Sequence, residues 1–215
     1  METASEGKAL TEPDRTFDCS AVILAGGRNS RMHGRNKAFL EINGTTILNR
    51  LMECLGPIFQ DIVLVTRQPD LYDEPSVKVV TDIYRARSSL TGIHAGLAHA
   101  AADHAFVVPC DTPFLQSTMV RLLMDHLEPY LDVVVPFFDG HFQPLCAIYS
   151  KRCIAAIEAQ LDREDFKIIQ FFDTVEVRSV PLEQLKSADP ELLSFFNVNT
   201  PAALQACREL ARKLD

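Results

Sequence analysis

An apolar run that stops at paired glycines constrains this chain more than any other stretch. Ala21-Val22-Ile23-Leu24 is long enough for one buried strand, and Gly26-Gly27 follows almost at once. The loop beyond carries Arg28, Arg31, Arg35 and Lys37, with no acid before Glu41, in a chain of formal net charge -8. A strand that opens into glycines and then into positive charge suits an anion held against backbone. Glycine has no Cβ, so amide N–H groups can come close to phosphate oxygens. Arginine and lysine then neutralise the remaining charge. A solvated basic turn after a strand would carry the same letters. Neither common nucleotide pattern is present: Lys37 is preceded by Asn36 rather than glycine, and GxGxxG does not occur.

The rest of the chain alternates between two periodicities. Short apolar runs predict strands over residues 21–25, 61–66, 77–80, 105–109, 132–136 and 174–180. Helical patterns fall at 45–54, 92–102, 117–127, 151–161, 166–172 and 201–214. Residues 39–42 read as a short extended piece closed by Asn43-Gly44. Asp139-Gly140 lies between two apolar runs and predicts a hairpin whose second arm, 141–149, returns antiparallel. Asn197 and Asn199 end an extended piece, so they share one face of it. In the last helix Leu204, Cys207, Leu210 and Leu214 are expected inward. Alternation of this kind predicts an α/β fold: a mostly parallel sheet with helices on both faces. At 215 residues one domain is expected, residues 19–215, after a polar, flexible leader over 1–18.

Composition excludes several function classes. The acidic balance argues against nucleic acid as a partner. No stretch reaches the roughly 18 apolar residues of a membrane span, and the leader lacks the apolar core of a secretory signal. Six cysteines without a CxxC pair are expected as reduced, mostly buried thiols in a cytoplasmic protein.

Ligands of such sheets bind outside the carboxyl ends of the strands. Gly26 and Gly27, Asp82 and Asp111 each follow a predicted strand. Asp111 lies in VVPCDTPFL, where Pro109 and Pro113 stiffen the turn. A carboxylate there suits Mg²⁺ on phosphates, although a capping role in an Asp-Thr-Pro turn is the commoner reason for an aspartate there. Asp82, in VVTD, also reads as a turn residue. Gly92 and Gly96 read as helix–sheet packing. Thr200 and Pro201 read as an N-cap and first helical residue, which leaves the two alternate asparagines before them unexplained. His94, His99 and His104 are expected at the surface.

Together, LAGG-x3-RM-x4-K (24–37), P-x-D-x-P (109–113) and N-x-N-T-P (197–201) resemble the signature set of the molybdopterin guanylyltransferases, a branch of the nucleotidyltransferase superfamily. Ser89-Leu90-Thr91-Gly92-Ile93 through Leu97 resembles the family's P-L-x-G-I-x-x-G-L segment, with Ser89 in place of proline. The resemblance runs from about Ser20 to Leu214. It implies a Rossmann-like nucleotidyltransferase domain in which Lys37, Arg31 and Asp111 are catalytic. Asp111 would bind Mg²⁺, and Leu24, Ala25, Gly26, Gly27, Lys37 and Asp82 would contact the nucleotide. Asn197 and Asn199 would orient the acceptor, with Gln143-Pro144-Leu145 at its border. Three positions depart from the pattern: Asn36 stands before the lysine where Asp is usual, Asn29 replaces a common Ser, and Val65-Thr66-Arg67-Gln68 lacks the asparagine often found after the second strand.

The implied reaction moves GMP from GTP to the phosphate of molybdopterin or molybdenum cofactor, releasing pyrophosphate. A molybdoenzyme or another cofactor-biosynthesis protein is a possible recipient partner. Alternatives are a cytidylyltransferase on the same acceptor, a guanylyltransferase on a sugar phosphate, and a non-catalytic nucleotide-binding partner that delivers cofactor.

Overall fold

A computed structural model describes residues 18–26 and 36–214. Strand β1 (Cys19–Leu24) leads to a 3-10 turn at Lys37–Phe39, then to a two-stranded ribbon of β2 (Glu41–Ile42) and β3 (Thr45–Thr46). Asn43 and Gly44 turn that ribbon with φ of 50° and 82°, the left-handed backbone such a tight connection needs. Helix α1 (Ile47–Leu55) is capped by Thr46, whose hydroxyl accepts from the Asn49 amide at 3.1 Å. There follow β4 (Ile62–Val65), β5 (Lys78–Val80), α2 (Ser89–His99), β6 (His104–Pro109) and α3 (Ser117–Asp125). The remainder is β7 (Val133–Phe138), β8 (His141–Phe142), β9 (Ala147–Ser150), α4 (Cys153–Leu161), a 3-10 segment (Ile168–Thr174), β10 (Val177–Pro181), α5 (Leu182–Ala188) and α6 (Pro201–Leu214).

The main sheet runs β10-β7-β9-β6-β1-β4-β5, with β8 paired to β7. Its inner pairs β6–β1–β4–β5 are parallel, and β9 lies antiparallel between β6 and β7. This is the mostly parallel sheet with a short antiparallel hairpin that the periodicity predicted. The return arm is not continuous over 141–149: β8 is two residues long, and β9 begins only at Ala147 to pair with both β7 and β6.

Side chains of the central strands alternate between two cores, as the pleat requires. Ala21, Ile23, Leu64, Phe106 and Val108 join one cluster with α1, α3 and α6. Val22, Val63, Val65, Ala105 and Val107 join the other with α2 and α4. Helix α2 is buried over eight consecutive residues, Leu90 to Leu97. Leu90, Ile93 and Leu97 are each fully buried, which is worth about 1.5–3 kcal/mol apiece relative to exposure. A Cβ on Gly96 would stand 2.4 Å from Val22 Cγ1 and one on Gly92 3.1 Å from Leu24 Cδ2. These glycines therefore let α2 sit directly on β1.

Several expectations change. Helix α2 begins at Ser89 rather than 92, because Ser88 and Thr91 form a reciprocal capping box ahead of it. His94 and His104 are buried, not superficial. His94 lies under α4 with Nε2 3.0 Å from Glu158 Oε1, and His104 Nε2 is 3.0 Å from the Leu131 carbonyl. Residues 197–199 belong to no ladder. In α6 Ala211 is buried while Leu210 is half-buried and Leu214 exposed. Helix α5 carries one buried residue, Leu185, too faint a periodicity to read. All six cysteines are free, and all but Cys54 are buried. No helix among the described residues is long and apolar enough to cross a membrane. The leader lies outside the described residues except for Asp18, which is exposed.

Candidate functional site

The parallel strands end level. Leu24 is in register with Val65 and with Pro109, and Val65 with Val80. The four strands β1, β4, β5 and β6 therefore release their chains along one line. Two residues beyond that line stand Gly26, Arg67, Asp82 and Asp111, one per strand. The ladder persists for one step past the strands: Ala25, Thr66 and Cys110 amides donate to Val65, Val80 and Leu24 carbonyls at 2.8–2.9 Å. The side chains just beyond are thus set by sheet geometry rather than by free loops.

A cleft of about 370 Å³ opens over this line, within the size range of small-ligand sites. Leu24, Gly26, Lys37, Asp82, Asp111, Asn197 and Asn199 all line it. Ala25 does not: its side chain is buried in the core below. Arg31 and Gly27 lie outside the described residues. Arg87, Ser88 and Gly92 line the cleft as well. Of these, Arg87 carries the readable signal, a cation just before a capping box.

Lys37 opens the 3-10 turn after β1. Asn36 caps that turn by accepting from the Ala38 amide at 3.1 Å, and its Nδ2 donates to the Tyr72 hydroxyl at 2.9 Å. The amide can give and accept at once, so asparagine at this position has a structural use here. Burial pushes the Tyr72 hydroxyl above its ordinary value, against the Asn36 hydrogen bond. The turn aims Lys37 inward. Its Nζ lies 2.8 Å from Asp111 Oδ2 and 2.6 Å from Asn199 Oδ1. The lysine and aspartate side chains are only 15% and 13% exposed, so Lys37 is part of the site floor rather than of an exposed basic loop.

The asparagines reach the site without a strand. The Val198 amide donates to the Asp111 carbonyl at 2.9 Å, Val198 itself is fully buried, and Thr112 Oγ1 donates to Asn197 Oδ1 at 3.0 Å. One backbone bond with a buried residue between them turns both asparagines toward the cleft. A smaller hollow of about 170 Å³ adjoins it, sharing Pro109, Leu145 and Asn197 and lined also by Gln143, Pro144 and Thr112.

Asp111 offers hard carboxylate oxygens, and the ammonium of Lys37 already occupies the place of a cation on Oδ2. Among the described residues no group of three or more His, Cys, Asp or Glu could hold a metal ion. A cation here would take one carboxylate from the chain and complete its shell with phosphate oxygens and water, the habit of Mg²⁺. Asp82 is different. Burial raises its pKa even though the Arg67 guanidinium beside it acts in the opposite direction.

A profile described as the MobA-like NTP transferase domain matches residues 21–177. The molybdenum cofactor guanylyltransferase of Desulfosudis oleivorans is 37% identical over 186 residues, spanning 86% of this chain and 92% of that protein. Its counterpart from Vibrio cholerae is 32% identical over 188 residues, spanning 87% and 90%. The crystal structure of molybdopterin-guanine dinucleotide biosynthesis protein A from Archaeoglobus fulgidus superposes with a TM-score of 0.80 at 28% identity, covering 90% of this chain and 99% of that one.

Proposed function

The chain belongs to the MobA-like NTP transferase family, and from that premise we propose that it transfers GMP from GTP to the phosphate of molybdopterin or molybdenum cofactor. An acceptor phosphate oxygen attacks the α-phosphorus, the bond from that phosphorus to the bridging oxygen breaks, and pyrophosphate leaves with the electron pair. The acceptor is already an anion, so no general base is required. This accords with a cleft whose lining, among the described residues, includes no histidine.

What remains is positioning and neutralisation of charge. Lys37 Nζ, held by Asp111 and Asn199, supplies a positive charge for the phosphates. Arg31 is assigned the same task from the loop. Mg²⁺, when bound by Asp111, supplies charge neutralisation across the triphosphate. Leu24 and Gly26 face the base, with Asp82 as an acceptor for its N–H groups. The adjoining hollow at Gln143, Pro144 and Asn197 is where the acceptor lies.

The observation that carries this reading is the meeting of Lys37, Asp111 and Asn199 in the cleft of a chain whose relatives bear the guanylyltransferase name. The test is direct. Pure protein given GTP, Mg²⁺ and molybdopterin should release pyrophosphate and form the guanine dinucleotide. Turnover with CTP in place of GTP would reassign the base. Nucleotide binding without any product would favour the delivery role.

A further inference from the structure

Arg67 stands where the sequence departs from the family pattern, and its contacts are unusual. It follows β4 as Asp82 follows β5, each two residues past the register pair Val65–Val80. Arg67 Nε donates to Asp82 Oδ2 at 2.8 Å. Its Nη2 donates to the carbonyls of Tyr84 and Arg85 at 3.2 and 3.3 Å, and to that of Ala86. One guanidinium thus gathers a carboxylate and three consecutive backbone carbonyls. Arg67 does not itself line the cleft, whereas Asp82, Arg87 and Ser88 do.

The arrangement has two consequences. One oxygen of Asp82 is fixed by Arg67, while Oδ1 accepts no hydrogen bond from any described residue. The segment from Asp82 to the Ser88 cap of α2 is also pinned along its length, which sets where Arg87 and the start of α2 meet the cleft. A planar fork of five donors can do both at once; an ammonium cannot.

We propose that Arg67 is a positioning residue for base recognition: it holds Asp82 so that its second oxygen accepts from the donor edge of a purine carrying N1–H and a 2-amino group. This rests on the guanylyltransferase reading. Adenine and cytosine present a ring-nitrogen acceptor in that position and are repelled by a carboxylate. Inosine keeps N1–H and lacks the amino group, so it isolates the contribution of the second donor.

The experiment measures KM and kcat for GTP and ITP, and nucleotide affinity by calorimetry with GTP, ITP and CTP, on the full chain. Arg67→Met is expected to weaken GTP by roughly ten- to hundredfold, the range for loss of a charge-assisted hydrogen bond. Saturating kcat should stay within about threefold, and the preference for GTP over ITP should collapse. Arg67→Lys should recover part of that preference. On an Asp82→Asn background, Arg67→Met should change the GTP-to-ITP ratio no further, because Arg67 acts through Asp82. An Arg67→Met protein with wild-type affinity and ratio overturns the proposal. If the methionine variant does not fold, a wild-type ratio in Arg67→Lys overturns it instead. A wild-type protein that favours CTP removes the guanylyl reading and this proposal with it, whereas a GTP-selective wild type with indifferent Arg67 variants removes this proposal alone.

Discussion

The Nζ of Lys37 lies 2.8 Å from Asp111 Oδ2, although 74 positions separate the two residues in the chain. The lysine comes from the turn after the first strand and the aspartate from the end of the sixth, and Asn199 joins them from a third segment. The cation and the carboxylate hold each other in place before any ligand enters. Under the proposed reaction the pair would exchange this state for a second one, with lysine on phosphate and another cation on the aspartate.

Lys37→Ala should therefore cost stability as well as activity. It leaves a largely buried carboxylate without its partner, a loss of about 1–3 kcal/mol. Denaturation in the presence of a chelator should show this, and added Mg²⁺ should restore part of it by taking the vacated oxygen. Equal stability of variant and wild type in chelator would mean that the ion pair is idle.

Asp111→Asn should keep the fold, since the amide is nearly isosteric, and should reduce turnover on the order of a hundredfold or more by removing charge at the phosphates. Dinucleotide formation at near-normal rate would leave Asp111 as a turn residue alone.

Base choice can be read at Gly26. A Cβ there meets nothing within 4 Å among the described residues, so Gly26→Ala should melt like the wild type without ligand. A ligand that binds only the folded state adds RT ln(1 + [L]/Kd), about 2.7 kcal/mol at a hundred times Kd. With Mg²⁺ present, GTP should raise the wild-type Tm more than equal CTP, and the alanine should narrow that gap by weakening GTP. Equal shifts for both nucleotides in the wild type would count against guanine.

Gly96→Ala offers the opposite control. Its Cβ would collide with both methyls of Val22, at 2.4 and 2.9 Å, in a fully buried layer. Overpacking of this kind costs about 1–3 kcal/mol. Stability should fall while KM for GTP in the folded protein stays near normal, because Gly96, unlike Gly92, does not line the cleft.

The thiols make an alkaline prediction. Burial pushes Cys19, Cys110, Cys146 and Cys153 up to about 12 and Cys54 and Cys207 to about 11, from 9.0. The folded state keeps these protons longer than the unfolded chain does. The stability they contribute is thus complete below pH 9 and is lost as pH rises through 11 to 12. Denaturation midpoints should fall between pH 8 and pH 10.5, and at pH 8 a thiol reagent should react slowly with the five buried thiols until denaturant exposes them, Cys54 being only half-buried. Fast labelling of more than Cys54 in the native protein would contradict their burial.

Much of this was local and therefore legible. Period-two and helical apolar patterns located most of the strands and helices, because each needs only a few residues to define its buried face. Gly26, Asp82 and Asp111 could be placed after strands for the same reason, and the paired asparagines were visible as a surplus that a helix cap did not explain. Register was not legible. That Leu24, Val65, Val80 and Pro109 end on one line depends on hydrogen bonding between strands far apart in the chain. Only that line brings Arg67 to Asp82, and only the turn capped by Asn36 carries Lys37 down to Asp111. The burial of His94 was equally hidden, since it follows from α4 lying over α2. Types of residue and local periods come from neighbours in the chain; ion pairs and burial come from which segments the packed sheet makes adjacent.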